Sequence, residues 1–424
     1  MRIEIILQIL IVIFANDQAF AADQVAAMSF GQVYSKILDQ SLRIETQKNK
    51  LGIAQAQYLK PLGQFTPQLS IVGKEVQTGD PRYEQRPLNV TLSMNIFRFG
   101  ADRLEFKSSD LNRSSSEERL TSEKLGTEDD ALSAIFGVIR ATHVLQIYQS
   151  ISKNRNELLR IAEERFKKGL LARQEVDKIQ IDFENAKARE SDQFNELKDA
   201  EAKLAGLLGS TWGAIDWPWV EVIKAKVTSL EQEFKIESIP QFRAATLSED
   251  ASAKYASAQH RKLLPSLDLN FTYGTADLTN NSASGSANTY AGMLTLTIPL
   301  FEQLITLSNY RQAEAARAQA SAEKAFLQRD LEPHFQAAKK RLSNSLESLV
   351  RREKNLLSSR HLYEDNLARF RQGRVSVNDL LIDQTRLSDA ELLAVDATYN
   401  LHLNYERFCH AIALNVDVNA NCTK

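Results

Sequence analysis

The chain has 424 residues, a formal net charge of −2 and an isoelectric point near 6.4. That length would suit two or three ordinary domains, but 16 glycines and 9 prolines are few for so many separate cores, which favours long helices. The balanced charge provides no basic surface for nucleic acid, so we expect no nucleic-acid partner.

Residues 1–21 have the pattern of a secretory signal peptide. Arg2 precedes an apolar run over residues 5–14, and Ala19-Phe20-Ala21 places small residues at a cleavage site. The run is shorter than the roughly 20 apolar residues that span a bilayer, and no later stretch approaches that length. We therefore predict export, and we expect the mature chain to enter a membrane only with strands.

Three segments alternate apolar and polar residues, which is the period of a half-buried strand, and a fourth segment, at residues 69–76, is less regular. They cover residues 69–76, 88–96, 267–273 and 294–300. The segments pair into a first hairpin over about residues 66–97 and a second over about residues 265–301. Residues 78–86 and 274–289 have the composition of turns and loops. Pro299 falls where the last strand should end, because proline cannot donate to a sheet ladder.

Two interpretations of these hairpins are open. They could cover a soluble core with one face, or they could cross an outer membrane. The strands approach the length for crossing, and their polar sides carry Asn, Thr, Ser and Asp, as a water-filled lumen requires. Four strands cannot close a barrel, and open strand edges are not tolerated in lipid. A membrane barrel would therefore be shared, with eight strands from two chains or twelve from three.

A long helical segment follows each hairpin, and the two copies keep one offset. Gly169 and Gly373 lie 204 residues apart (373 − 169), as do Phe97 and Phe301 (301 − 97). Each segment between them has 72 residues (169 − 97), or roughly 100 Å of helix at about 1.5 Å per residue. The predicted fold class is mostly α with a small β part: a tandem duplication of a strand hairpin followed by a long helical coiled-coil hairpin.

Each long helix carries an apolar stripe that we interpret as packing and not as a ligand site. In the second copy an aliphatic or aromatic residue recurs at every seventh position, which predicts a left-handed supercoil: Phe335, Leu342, Leu349, Leu356, Tyr363 and Phe370. In the first copy the spacing is that of an ordinary amphipathic helix: Leu132, Ile135, Phe136, Ile139, Val144, Ile147, Tyr148 and Ile151.

We predict a first repeat over residues 22–209, an inter-repeat segment over 210–240 and a second repeat over 241–424. Pro333 and the segment 126–130 stand at corresponding places, and they predict an interruption or a bend of both long helices there. The inter-repeat segment could pack around the helices at that height. Its three tryptophans, which ordinary burial also explains, are Trp212, Trp217 and Trp219.

The sequences RFKKGLLARQEVDKIQ and RFRQGRVSVNDLLIDQ, which begin at Arg165 and Arg369, share their pattern of Arg-Phe, two polar residues and Gly. Glycine suits the left-handed conformation that ends a helix, and the residues after it can begin the next one. Each long helix is therefore predicted to turn at Gly169 or Gly373 and to return. Both turns would lie at the same end, roughly 100 Å from the strands for helices of this length.

Further short motifs recur in order along the chain. They are Pro67-Gln68-Leu69, Gly169-Leu170-Leu171-Ala172, Leu207-Leu208-Gly209, Leu264-Pro265-Ser266-Leu267, Ile298-Pro299-Leu300-Phe301 and Gly373-Arg374-Val375-Ser376. In their order and duplication they resemble the TolC-like outer membrane efflux protein family. The resemblance covers nearly all of the mature chain, and its strength lies in the duplication because each motif alone is weak.

The resemblance implies a homotrimer in the outer membrane of a Gram-negative bacterium. Each chain would give four strands to a twelve-stranded barrel and four helical strands to a periplasmic tunnel, with no cofactor. Substrates would arrive from an inner-membrane pump through a periplasmic adaptor, as in tripartite efflux or type I secretion. The residues implied in the tunnel entrance and in adaptor docking are Gly169, Leu170, Leu171, Ala172, Gly373, Val375 and Ser376.

Charged residues near the two turns have two interpretations. Glu175, Asp379 and Asp383, with Arg173 and Arg374 beside them, could form charged rings that gate an entrance where three chains converge. Alternatively, the carboxylates are solvated groups near the start of the returning helices, where negative charge is favourable.

Two positions depart from the family pattern. Leu304 stands where a glycine often follows the second hairpin, although Gly100 keeps that glycine after the first. Val375 stands where some members carry a basic residue at the turn. Both departures bear on how the entrance closes.

Other functions fit the sequence less well. The six histidines show no metal-ligand spacing, and no glycine-rich phosphate loop is present, so we expect no enzyme and no metal site. Cys409 and Cys422 could form a disulfide in an exported protein or remain two thiols. A soluble periplasmic coiled-coil scaffold or adaptor is the main alternative, but it leaves the four strands without a purpose.

Overall fold

The structure is a computed structural model, and it describes residues 30–73, 88–209, 234–280, 283–299 and 304–411. Several sequence predictions lie outside these ranges: the signal peptide, the turn at 78–86, the three tryptophans, Phe301 and Cys422. Cys409 is described and is buried, so its pairing with Cys422 stays a prediction.

Helices make up most of the described chain. The first half holds α1 (Phe30–Gln40), α2 (Leu42–Gly63), β1 (Gln68–Gly73), β2 (Leu88–Phe97), α3 (Ala101–Lys167) and α4 (Arg173–Leu208). The second half holds a 3-10 turn (Ile236–Ser238), α5 (Pro240–Arg261), β3 (Ser266–Asn280), β4 (Ala283–Thr297), α6 (Ile305–Arg371) and α7 (Val377–Ala411). The mostly α fold class with a small β part is therefore confirmed.

The two longest helices reproduce the predicted offset. Helices α3 and α6 each have 67 residues. Both their first residues (305 − 101) and their last residues (371 − 167) differ by 204. The equal lengths follow from the absence of insertions between strand and turn in the two copies.

The predicted breaks in the two long helices are wrong, while the bend expected at the same places stays a prediction. Helix α3 continues through residues 126–130, and α6 contains Pro333 in its interior. A glycine inside a helix costs only about 1 kcal/mol relative to alanine, and Thr127, next to Gly126, is buried. Proline removes one backbone hydrogen bond and costs about 3 kcal/mol. The buried side chains of Leu327 and Phe335 anchor α6 on either side of Pro333.

The four strands form one antiparallel sheet in the order β1-β2-β3-β4. The central pair joins the two halves of the chain, with Leu92 opposite Phe271 and Met94 opposite Leu269. Within the described residues, β1 and β4 pair on one side only, so both edges of the sheet are open.

The second hairpin is longer than its sequence predicts. Residues 274–289 were expected to form a loop, but β3 runs to Asn280 and β4 begins at Ala283. The ladder is continuous from Gly274 opposite Thr289 to Asn280 opposite Ala283. Small and polar residues are typical of loops, but a strand whose backbone hydrogen bonds are all formed can also consist of them. β4 ends at Thr297, so Pro299 follows the strand as predicted.

The two faces of the sheet differ in polarity. Directly opposed residues share a face, and one face carries apolar side chains that are exposed: Leu69, Ile71, Leu92, Met94, Leu269, Phe271, Tyr273 and Leu294. The other face carries half-buried polar side chains: Ser70, Thr91, Ser93, Asn95, Asp268, Asn270, Thr272 and Thr295. On that face Asn95 Nδ2 donates to Asp268 Oδ1 at 2.6 Å. The apolar face is thus the one that the chain leaves uncovered.

The chain divides into two compact units that do not coincide with the predicted repeats. The first comprises residues 1–41, 126–231 and 338–408, and the second comprises residues 42–125, 232–337 and 409–424. The repeat boundaries therefore stay a prediction from sequence.

The first unit contains two apolar clusters. One joins α1, α3, α4 and α7 through side chains such as Ile37, Phe136, Leu204 and Leu403. The other lies where the long helices turn. The predicted stripe of α3 contributes to the first cluster, and within this unit the heptad residues Leu342, Leu349 and Phe370 of α6 are buried.

Helix α3 also contains an 18-residue window that is long and apolar enough to be a candidate membrane span, contrary to the expectation that no later stretch would be. Half of this window is buried within the chain. A helix that packs into a protein core can have the same length and apolar composition as one that spans a membrane.

The second unit packs helices closely through small residues. Ser108 Oγ of α3 donates to the carbonyl oxygen of Ala251 in α5 at 2.8 Å, and Ser115 Oγ donates to that of Ala244 at the same distance. A serine on one helix and an alanine on the other let the two backbones approach. Both hydroxyls are buried and are satisfied by these bonds.

The two hairpins enter their long helices in the same backbone conformation. Gly100 has φ +76°, and Leu304, 204 residues later (304 − 100), has φ +62°. The leucine therefore keeps the left-handed conformation that favours glycine, at a cost of roughly 1–2 kcal/mol. The departure at Leu304 changes the residue but not the backbone.

We expect the buried His402 to make the stability of the first unit sensitive to acid. Its ring is fully buried in the first unit, 5.4 Å from the centroid of Phe136, and burial lowers the pKa of His402 to about 4. The unfolded state, with a pKa near 6.5, takes up the proton first as the pH falls, so stability is lost progressively from about pH 6.5 to pH 4. We expect the free energy of unfolding to fall by about 2 kcal/mol between pH 7.5 and 5 because of this residue.

Urea unfolding of the detergent-purified protein at both pH values measures this slope. His402→Leu should flatten it, while the exposed control His361→Gln should leave it unchanged. Equal slopes in the wild-type protein and in His402→Leu would contradict the assignment.

Candidate docking and entrance site at the two helix turns

The first turn ends α3 in a Schellman motif. Gly169 has φ +70°. Its N–H donates to the Phe166 carbonyl at 2.9 Å, and the N–H of Leu170 donates to the Arg165 carbonyl at 2.9 Å. These two bonds satisfy carbonyl groups that the helix end leaves without partners.

The second turn repeats the first. Gly373 has φ +76°, its N–H donates to the Phe370 carbonyl at 2.8 Å, and the N–H of Arg374 donates to the Arg369 carbonyl at 2.9 Å. The predicted role of both glycines as left-handed helix ends is confirmed.

Replacing Gly169 by alanine should destabilise the protein by about 1 kcal/mol, because a Cβ disfavours the left-handed conformation. The matched control is Gly126→Ala, inside α3, where the added Cβ meets nothing within 4 Å. That change should stabilise by up to about 1 kcal/mol through helix propensity. Thermal unfolding followed by circular dichroism compares the two, and shifts of the same sign would contradict the prediction.

The returning helices begin differently. Helix α7 is capped by Ser376, whose Oγ accepts from the Asp379 N–H at 3.1 Å and donates to Asp379 Oδ2 at 2.7 Å. Ala172 precedes α4 without a side-chain cap. Asp379 thus lies at the start of α7, where a negative charge is favourable.

The other predicted charges also make local contacts. Arg173 pairs with Asp177 at 2.9 Å, and Glu175 pairs with Lys178 at 3.3 Å. Arg374 is exposed. Among the contacts of the described residues, none joins two of the five predicted charges.

Asp383 differs from the others because it is buried between two helices. It accepts a hydrogen bond from Asn366 Nδ2 of α6, and its Oδ1 lies 3.0 Å from Arg386 Nη1. The carboxylate therefore ties the two arms of the second helical hairpin together.

The two turns share one apolar core. It joins Leu158 and Ala162 of α3, Val176 and Ile179 of α4, Phe370 of α6, and Val377, Leu380 and Leu381 of α7. The predicted docking residues Leu171 and Val375 pack against it, half-buried, while Leu170, Ala172 and Ser376 are exposed. The Arg165 guanidinium lies over the Phe370 ring, 4.9 Å from its centroid. The structure thus brings both predicted turns into one surface.

A buried arginine in the same unit was not predicted. The Arg155 side chain of α3 is only 8% exposed and lies 3.3 Å from Asp182 Oδ2 of α4. Its Nη2 also donates to Thr385 Oγ1 of α7 at 3.2 Å. Burial lowers the pKa of Arg155, and the Asp182 carboxylate opposes that shift. This residue joins three helices, and the sequence signal for it is its position four residues after Ile151, the last residue of the predicted α3 stripe.

Gln384, which precedes Thr385 in α7, has a buried side chain with no hydrogen-bond partner within the described part of the chain. Among the described residues, no group of three or more His, Cys, Asp or Glu side chains is arranged to hold a metal ion. The site therefore consists of the two turns, and the polar contacts of Arg155 with Asp182 and Thr385 hold together the helices that carry them.

Comparison with known proteins gives one family and several relatives. The model of the outer membrane efflux protein family matches residues 33–210 and 235–412. Outer membrane protein TolC of Vibrio cholerae serotype O1 is 26% identical over 287 residues, which span 66% of this chain and 66% of TolC.

Solved structures share the fold at lower identity. A CusC structure has a TM-score of 0.79 at 18% identity and covers 92% of both chains. The Campylobacter jejuni CmeC outer membrane channel has a TM-score of 0.77 at 14% identity, over 92% of this chain and 88% of its own.

Proposed function

Because this chain belongs to the outer membrane efflux protein family, we propose that it is the outer membrane exit duct of a tripartite efflux or type I secretion system. Substrates would pass outward through a wide polar tunnel after delivery by an inner-membrane pump and a periplasmic adaptor. The duct performs no reaction itself and takes its energy from the pump. Family membership does not favour the soluble periplasmic scaffold.

The exposed apolar face of the sheet supports this function most directly. A soluble hairpin pair would bury its apolar face, but here Leu92, Phe271 and Leu294 are exposed, while Ser93 and Asn270 on the opposite face are half-buried. Lipid outside and water inside is the environment that this polarity suits. The sheet is therefore a segment of a barrel wall.

The open edges support a barrel built from several copies. Edge strands β1 and β4 leave backbone groups without partners, which lipid does not tolerate. Pairing β4 of one copy with β1 of the next satisfies both edges, and three copies give twelve strands. Family membership favours the proposed homotrimer over a dimer whose barrel would have eight strands.

The two turns are proposed as the tunnel entrance and the adaptor-docking surface. Their exposed residues Leu170, Ala172 and Ser376, with the glycines that shape them, form a surface that an adaptor could contact. For the charges we favour local capping and pairing for Arg173, Glu175 and Asp379. Asp383, buried against Asn366, is the candidate for control of the entrance through the second hairpin.

Thiol labelling in whole cells tests the membrane function. In a chain lacking Cys409 and Cys422, single cysteines replace Asn270 on the polar face and Leu294 on the apolar face. A lipid-soluble maleimide should label Leu294→Cys, and a membrane-impermeant maleimide should label Asn270→Cys but not Leu294→Cys. Equal labelling of both by the impermeant reagent in a soluble periplasmic fraction would support the scaffold instead.

A further inference from the structure

One pair of residues, Arg165 and Phe370, forms a contact between the two turns inside the chain. The equivalent pair of residues remains exposed. Inside the chain, Arg165 of the first repeat covers Phe370 of the second at 4.9 Å, and Phe370 is only 1% exposed. The equivalent residues at an offset of 204 are Arg369 and Phe166 (369 − 165 and 370 − 166). Phe166 is 39% exposed, and the Arg369 side chain is 57% exposed.

The surroundings of these residues show the same asymmetry. A Cβ on Gly373 would lie 3.3 Å from Arg165 Nη2, whereas a Cβ on Gly169 meets nothing within 4 Å. On the helix face that carries Arg165, Leu158 is 4% exposed, but its equivalent Leu362, on the face that carries Arg369, is 43% exposed. The second repeat thus presents an uncovered copy of the face that the first repeat buries.

The contacts that Arg369 and Phe166 make within the described part of the chain are weak. Arg369 pairs with Asp365 at 2.8 Å, one turn earlier on the same helix, and both side chains are more than half exposed. Arg173 lies over the Phe166 ring at 5.8 Å, near the outer limit for an attraction between a cation and an aromatic ring. Neither contact buries the ring.

A closed ring of duplicated chains contains two kinds of neighbouring repeats. The first-to-second contact lies within a chain, and the second-to-first contact lies between chains. Because α3 and α6 have equal lengths and the same offset to their turns, the two contacts place equivalent residues opposite each other. The occupant of the uncovered face is therefore a second copy of this chain.

We propose that Arg369 of one copy stacks on Phe166 of the partner subunit, closing the ring of helical hairpins with the contact that Arg165 and Phe370 make inside each chain. This inference rests on the proposed multi-copy duct. It specifies which side chains join neighbouring copies at the entrance. Each copy contributes one half of the contact, so the site is incomplete in a single chain.

Cross-linking between differently tagged chains tests the proposal. Two full-length chains, each without Cys409 and Cys422, are co-expressed; one carries Phe166→Cys and the other Arg369→Cys. Both substitutions replace exposed side chains, so folding is retained. A short bismaleimide applied to outer membranes should give a denatured species that carries both tags.

Two further pairs serve as controls, and the native mass separates the two hypotheses. Arg369→Cys with Phe194→Cys, an exposed residue on α4 away from the turn, should give no species with both tags, nor should Arg165→Cys and Phe370→Cys in separate chains. A native mass of three copies without a species that joins positions 166 and 369 would overturn the contact alone. A single-chain native mass would overturn the duct as well.

Discussion

Asp182→Ala should lower the free energy of unfolding by about 3 kcal/mol, because it leaves the buried Arg155 cation without a counter-charge. Arg155 is 8% exposed and Asp182 is 39% exposed, so the cost falls mainly on the arginine. After the change, Arg155 Nη2 keeps Thr385 Oγ1 as an uncharged acceptor. The partial exposure of Asp182 lets water screen the pair, which places the estimate at the low end for buried pairs.

A double-mutant cycle measures this contact by urea unfolding in detergent. Arg155→Met removes the buried charge and leaves the more exposed Asp182, so it should cost less than Asp182→Ala. The double variant should be more stable than Asp182→Ala alone. Asp192→Ala, at an exposed position on the same helix, should change stability by less than about 0.5 kcal/mol. A neutral Asp182→Ala would show that the pair does not hold these helices together.

Glu105→Leu should have a similar effect in the second unit, again about 3 kcal/mol. The buried Glu105 carboxylate accepts from Gln259 Nε2 at 3.1 Å, from Lys262 Nζ, and from Gln64 Nε2 at 3.1 Å. Three donors, one at the end of α2 and two at the end of α5, converge on this one side chain of α3. An apolar replacement removes the acceptor that the buried Gln259 Nε2 has within the described part of the chain.

The conservative change separates charge from hydrogen bonding. Glu105→Gln keeps one carbonyl oxygen as an acceptor and should lose about half as much stability as Glu105→Leu. Glu117→Ala, an exposed glutamate on α3, is the matched control and should be nearly neutral. If Glu105→Leu and Glu117→Ala have equal unfolding midpoints, the carboxylate is not a structural anchor.

Sequence patterns predicted the features that depend on local spacing. The offset of 204 residues, the strand at residues 88–96, the heptad seam of α6 and the two glycine turns all rest on residue types at fixed intervals. Such intervals determine which face of a helix or strand is apolar before any tertiary contact forms.

The missed features depend on residues far apart in sequence. Arg155 and Thr385 are separated by 230 positions, and Glu105 and Gln259 by 154, so no local pattern pairs them. Residues 274–289 were predicted as a loop because their composition is that of a loop, and only the continuous ladder makes them strands. Gly126 and Pro333 did not end their helices, because neighbouring buried side chains such as Thr127 and Phe335 hold those helices in place.

The most direct test of the shared duct is the native mass of the protein extracted in mild detergent from purified outer membranes. The proposal predicts three copies of the mature chain in one particle, as a barrel that closes its four-stranded sheets into twelve strands requires. Recovery as a soluble periplasmic monomer or dimer would contradict the duct and assign the helical hairpins to a scaffold.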